Sequence, residues 1–151
     1  MHEDPGRTRP VGLARYAKEF HEAAEAADRA LGHKPGFEIV APIPVLYLIG
    51  HSIELSLKAF LVHRGVGLRE LRTQFGHSLH RCLKRAKELG LLDILAFDEH
   101  ELGAFAVLDD LYSTKQLEYI VTGAKSFPIY GHLQSMSAKL LGSVGPLVGY
   151  K

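Results

Sequence analysis

The stretch that decides the fold is LYLIGHSIELSLKAFLVHRGVGLRELRTQFGHSL, residues 46–79. Apolar residues dominate from Val45 to Val62, which predicts a helix buried on most sides, yet His51, Glu54 and Lys58 interrupt the run with ionisable groups. At about 100° per residue these three fall, with Tyr47, on one narrow arc of a helix. A buried helix tolerates such a stripe only where its polar groups find partners or face a cleft. The stripe is therefore either an internal hydrogen-bond network or the wall of a functional site. Glu54 is expected to reach a basic group, with Arg72, His77 and Lys115 as the candidates. Ser52, Ser56 and Ala59 form a second arc of small residues that lets another helix approach closely, within the subunit or across a two-fold axis. Two distinct contact faces on one helix favour a homodimer.

Towards the N-terminus, Leu13, Tyr16, Ala17, Phe20, Ala24, Ala27 and Leu31 recur at helical spacing until Gly32. Pro44 suits the first turn of the long second helix, which Gly65 and Gly67 end. Leu68 to Gln74 adds a short helical turn. Ser78 opens a third helix with Leu79, Cys82, Leu83, Ala86 and Leu89 on one face and His80, Arg81, Lys84, Arg85 and Lys87 on the other, closed by Gly90. A fourth helix, from about Asp98 to Val121, turns Leu102, Phe105, Leu108, Leu111, Tyr112 and Tyr119 inward before Gly123. A fifth runs from beyond Pro128 to about Leu141. No alternating strand pattern competes. The expected fold is all-α, an antiparallel bundle of four main helices plus a fifth C-terminal helix. The expected organisation is a flexible tail over residues 1–10, one domain over 11–141 and a short Gly-rich tail over 142–151.

With 151 residues the chain is one domain's worth. Its one cysteine, Cys82, cannot staple it to itself. No apolar run follows Met1, which reads as the absence of a secretory signal and makes the reducing cytoplasm the expected compartment. Ile43 to Val62 is long enough to span a bilayer, but three ionisable groups in it are costly in hydrocarbon, so a buried helix away from membranes is the expectation. The net charge of +1 conceals a segregation. Lys58 to Lys87 holds eight lysines and arginines against Glu70 alone, and Glu88 to Glu118 holds eight acids against Lys115 alone. Either two solvated faces attract each other, or Arg69, His80, Arg81, Lys84 and Arg85 form a basic face for a phosphate-bearing partner such as RNA or a nucleotide.

His51-Ser-Ile-Glu54-Leu-Ser-Leu-Lys58-Ala59-Phe60-Leu61, then Gly76-His77-Ser78-Leu79, and later Leu111-Tyr112 with Lys115 and Tyr119, resemble the HEPN superfamily over roughly Pro42 to Pro128. The resemblance implies an α-helical bundle of the kind found beside nucleotidyltransferases and in toxin–antitoxin systems. Some members are metal-independent ribonucleases with an Arg-x4-6-His motif; others lack it and act as binding or dimerisation modules. Arg72-Thr-Gln-Phe-Gly-His77 satisfies that motif, as does Arg15-x5-His21 inside the first helix. The family's nucleases carry Asn, Asp or His directly after the arginine, where Thr73 stands here. If the motif is catalytic, His77 is the general base and Arg72 stabilises the charged phosphate. Glu54, with His51 and Lys58 beside it, would orient them. Gly76 and Ser78 place His77 at a helix start, where the dipole disfavours an imidazolium and backbone N–H groups can hold an anion.

Other constellations carry less. His77-x2-His80 with Cys82 has the spacing of a metal pair, but no second ligand cluster completes a tetrahedral site, so no metal or cofactor is expected. Tyr112, Tyr119 and Tyr130 could stack on bases, although tyrosines at helical spacing are more often core. The two principal readings stay open: a nucleotide- or RNA-associated module working beside a nucleotidyltransferase or antitoxin, and a toxin-type endoribonuclease. A purely structural dimerisation protein is the third.

Overall fold

A computed structural model describes residues 8–37, 40–117 and 126–150. Six α-helices lie among them: α1 (Pro10–Leu31), α2 (Ile43–His63), α3 (Leu68–Glu70), α4 (Leu79–Glu88), α5 (Glu99–Ser113) and α6 (Tyr130–Leu147). The apolar run predicted to be buried is the hub. α2 packs against α1, α4, α5 and α6, and Leu46, Ile49, Ile53, Leu57, Phe60 and Leu61 along it have no exposed surface. By length and composition α2 could cross a membrane, and most of it is covered by the other helices.

The local chemistry of the helix ends follows known rules. Pro44 occupies the first turn of α2, where a missing N–H costs nothing. At its other end Gly65 N donates to Val62 O and Val66 N to Leu61 O, both at 3.0 Å, the paired bonds of a Schellman stop. The Ser78 side chain caps α4 by accepting from Arg81 N. Asp98 and Glu101 cap α5 reciprocally.

The expectation of four main helices with a fifth laid on them is corrected to six helices. Leu68–Glu70 is a helix of its own, continued by a π-type turn over Leu71–Phe75 in which Gly76 N reaches back to Leu71 O at 3.0 Å. The wider turn buries Leu71 and Phe75 while leaving Arg72, Thr73 and Gln74 outside. α6 is no accessory, since it packs on α1, α2 and α5 and buries Leu133, Met136, Leu140 and Val144. It also runs past the expected end near Leu141 to Leu147, through Pro146.

α5, expected to reach about Val121, stops at Ser113. The stop has Schellman bonds, Gln116 N to Leu111 O at 2.9 Å and Lys115 N to Tyr112 O at 3.2 Å, with Lys115 at φ 61° in the place usually held by glycine. Val121, Gly123 and the expected inward face of Tyr119 lie outside the described residues. The small-residue arc of α2 faces its own chain: Ser52 Oγ donates to Ala17 O of α1 at 2.6 Å and lies 3.1 Å from Ser137 Oγ of α6.

One close approach positions the site. A Cβ on Gly50 of α2 would lie 2.8 Å from Cδ1 of Tyr112 on α5, whereas a Cβ on Gly103 would meet nothing within 4 Å. Gly103→Ala should therefore stabilise the fold by up to about 1 kcal/mol through helix propensity. Gly50→Ala gains the same term but displaces the Tyr112 ring, an overpacking cost of about 1–3 kcal/mol. Urea unfolding should find Gly103→Ala more stable than Gly50→Ala by at least ~1 kcal/mol, and equal effects would contradict the close packing of α2 on α5.

Candidate functional site

The polar stripe of α2 meets its partners where three segments converge. Glu54 is 2% exposed and Lys58 4%. Lys58 Nζ donates to Glu54 Oε2 at 2.6 Å and to the Gly76 carbonyl at 2.7 Å. Tyr112 of α5 donates its hydroxyl to Glu54 Oε1 at 2.6 Å. His77, from the connector before α4, sets Nδ1 3.1 Å from Oε2 and 3.2 Å from Oε1. Of the three partners the sequence offers for Glu54, His77 makes the contact, while Lys58 and Tyr112 supply the rest.

A carboxylate only accepts, so His77 carries its proton on Nδ1 and, when neutral, keeps Nε2 as the basic nitrogen. The same logic applies to His51. Tyr112 spends its proton on Glu54, so His51 Nδ1, 2.9 Å from the Tyr112 oxygen, donates to it. His51 Nδ1 stands 3.7 Å from Glu54 Oε1 and reaches the carboxylate through Tyr112. Its ring is stacked with Tyr47 and meets Phe20 edge-on at 4.4 Å.

The electrostatics follow from these contacts. Burial alone would push the Glu54 carboxyl up, but the imidazoles of His51 and His77 and the Lys58 ammonium outweigh it and hold the group well below the usual carboxylate range. His77 is raised above the ordinary imidazole value, first by its hydrogen bond to Glu54, against partial burial and the charges of Lys58 and Lys115. This corrects the expectation that the helix start keeps His77 neutral. His77 precedes the Ser78 cap, and a carboxylate in contact outweighs a helix dipole. Cys82 is the opposite case: on the buried face of α4, its thiol is pushed up to about 12 by desolvation, far from the thiolate that a nucleophile or metal ligand requires.

Gly76 makes the convergence possible. Its backbone, φ 51° and ψ −123°, is open to glycine and strained for other residues, and it brings His77 back over α2 while giving Lys58 a carbonyl. The result borders a cavity of about 790 Å³. His51, Glu54, Leu55 and Lys58 of α2, Leu68, Arg72, Gly76 and His77 of the segment after it, and Thr8, Arg9, Gly12, Leu13, Tyr16 and Phe20 of the α1 region line it. His77 keeps 61% of its side chain exposed there. Thr73, the residue after the motif arginine, turns its hydroxyl back to the Arg69 carbonyl at 2.9 Å.

The remaining predicted residues lie elsewhere. Arg81, Lys84 and Arg85 border a separate shallow depression with Glu70, Gln74, Phe75 and Glu88. Arg81 donates to the Gln74 carbonyl at 3.2 Å and Arg85 to Glu88 at 3.3 Å, so part of the basic face is engaged locally. Arg69 and His80 are exposed and border neither concavity. No group of three or more His, Cys, Asp or Glu side chains is placed to hold a metal ion among the described residues.

The other match to the motif, Arg15-x5-His21, is pulled apart by its partners: Arg15 sits beside Glu19, whereas His21 is buried between Glu25, 2.6 Å from Nε2, and Ser137, 2.8 Å from Nδ1. Glu25, His21 and Ser137 have the order of a nucleophilic triad, but Ser137 has no exposed surface to offer a substrate. Tyr112 is the site residue that the sequence reading took for core or for a base-stacking ring, not for a partner of Glu54. Its signal was weak, a tyrosine on a buried face whose hydroxyl needs a partner.

No family model matches this chain, and comparison with curated proteins and with solved structures yields no match.

Glu54 should dominate the response to acid. Its lowered value means that its stabilisation is fully present above about pH 4.5 and is lost as pH falls below that towards the folded-state value. Glu54→Ala strands Lys58 and should cost about 3–5 kcal/mol at pH 7. In Glu54→Gln the acid limb of a denaturation series should flatten, and the His77 titration followed by NMR should move down towards 6.5. An unmoved His77 would show that Glu54 does not set its charge.

Proposed function

We propose that this is a HEPN-like helical domain whose cavity holds a phosphate-bearing ligand, a nucleotide or single-stranded RNA. The observation that carries the reading is a cavity bordered by several basic side chains, with one buried carboxylate held beneath it. Glu54 spends its charge on Lys58, Tyr112 and His77, while Arg9, Arg72 and the raised His77 border the same space. Cations gathered in a concavity attract phosphate more strongly than the same charges on a flat surface. The exposed basic residues of α4 would extend the contact to a longer chain. The homodimer, and a nucleotidyltransferase or antitoxin partner, belong to the same proposal.

A second reading is favoured by one further observation, the Glu54–His77 hydrogen bond. It holds the histidine in the tautomer a general base needs, with Arg72 bordering the same cavity. In that reading His77 Nε2 takes the proton of an RNA 2′-hydroxyl and the freed oxygen attacks phosphorus. The bond to the 5′-oxygen breaks, and the proton passes to that leaving oxygen. Arg72 offsets the charge gathering on the phosphate. The products are a 2′,3′-cyclic phosphate and a 5′-hydroxyl.

One experiment separates the two readings. Single-stranded RNA is incubated with purified protein in EDTA, with binding followed by fluorescence anisotropy and ends by gel mobility. Binding should weaken steeply with salt, and Arg72→Ala should lower both affinity and salt slope, by about one phosphate contact. If the site is catalytic, His77→Ala removes most cleavage and Arg15→Ala does not. Equal trace cleavage in wild type and His77→Ala leaves the binding module, and salt-independent or undetectable binding rejects both.

A further inference from the structure

Two imidazoles stand on Glu54. His77 Nδ1 lies 3.2 Å from Oε1 and His51 Nδ1 lies 3.7 Å from the same oxygen, joined to it through the Tyr112 hydroxyl. Both rings therefore hold a proton on Nδ1 whether neutral or charged, and both border the cavity. Among the described residues, the sealed side-chain atoms without a partner are the hydroxyls of Ser56 and Tyr130. The Nε2 atoms of His51 and His77, which no hydrogen bond there uses, are thus open to solvent. His51 is the more tightly held ring, 25% exposed and wedged between Phe20 and Tyr47. Packing alone does not call for a histidine there. An apolar side chain could fill the gap, and Tyr112 already spends its proton on Glu54.

Internal transesterification of RNA needs two such nitrogens. The entering 2′-oxygen and the leaving 5′-oxygen lie in line on opposite sides of phosphorus, so a ring within hydrogen-bond reach of one does not reach the other. With His77 as the base, the departing alkoxide still lacks a proton. Lys58 is a poor source, because it is 4% exposed and is tied to Glu54 and to the Gly76 carbonyl. We propose that His51 is the general acid of this site, paired with His77 through Glu54. His77 Nε2 takes the 2′-hydroxyl proton, and the 2′-oxygen bonds to phosphorus. The bond from phosphorus to the 5′-oxygen breaks as the proton on His51 Nε2 passes to that oxygen. Water then returns a proton to His51 and removes one from His77. This rests on the ribonuclease reading above and adds the residue that frees the leaving strand. One buried carboxylate fixes both rings, which is the preorganisation a two-proton step requires.

The test compares two substrates of the intact chain in EDTA. Single-stranded RNA has a leaving oxygen that needs a proton, whereas a ribonucleoside 3′-(4-nitrophenyl phosphate) releases a phenolate that does not. His51→Asn keeps an amide N–H for Tyr112 and loses the transferable proton. It should slow RNA cleavage by about 100-fold or more, the scale of general acid catalysis, and cleave the nitrophenyl ester at close to the wild-type rate. His77→Ala should lose both substrates, because each needs the base. Loss of both substrates by a folded His51→Asn, or RNA cleavage unchanged in it, overturns the acid role while the ribonuclease reading stands. Wild type inert towards both substrates removes that reading, and the acid role with it. Nitrogen-15 NMR checks the same proposal on unmutated protein. The neutral ring of His51 should carry its proton on Nδ1, as should that of His77, and a His51 ring protonated on Nε2 alone overturns the proposal.

Discussion

Everything near the cavity depends on keeping one carboxylate charged inside the molecule. A buried anion is tolerable only when donors replace the water it has lost. Glu54 obtains them from its own helix through Lys58, from α5 through Tyr112 and from the connector before α4 through His77. Each donor comes from a segment with other reasons to be where it is. Tyr112 is admitted by the missing side chain of Gly50, and His77 by the left-handed turn at Gly76. Remove the carboxylate and these segments lose the feature that sets their register. A buried ion pair is poor evidence of net stability, since an apolar replacement of equal shape is often as stable. Here it decides which atoms meet.

The same neutralisation determines what faces solvent. With its charge absorbed by donors on the protein side, Glu54 stays buried and ionised while it raises the His77 imidazole that borders the cavity. Thus a structural requirement of the core and a chemical property of the cavity have one cause. Lys58 serves both, because its second bond, to the Gly76 carbonyl, ties the turn that carries His77 to the helix that carries Glu54.

The legible parts of the sequence were those where local chemistry and tertiary packing agree. The Ser78 cap, the Gly65 stop and the buried run of α2 follow from residue type alone. The misread parts are those where packing overrides type. Lys115 adopts a left-handed stop that glycine would have announced. α6 continues through Gly142, Gly145 and Pro146 because Val144 is buried and Tyr150 folds back, its amide on the Gly145 carbonyl at 2.8 Å. The stripe on α2 announced a network but not all its members. A periodic pattern reports a face, and whether a tyrosine on it ends in the core, as Tyr112 does, or stays outside, as Tyr16 does, depends on the helix opposite.

Hydrogen-bond order does not identify a reactive group, and this chain shows why. Glu25, His21 and Ser137 are joined as a nucleophile, base and acid would be, with distances as short as those around Glu54. Yet they lie where α1 and α6 meet, with Ser137 fully enclosed and also held by Ser52. No substrate atom can approach within bonding distance of that hydroxyl without unpacking two helices, so the arrangement serves to satisfy buried polar groups. Glu54 and His77 use the same chemistry with one difference: the carboxylate is sealed while most of the imidazole remains in the cavity. That asymmetry, a buried anchor holding an accessible ring, is what proton transfer to an external ligand requires. It arises because His77 stands on a turn, one residue before the Ser78 cap, whereas His21 stands in the middle of a packed helix.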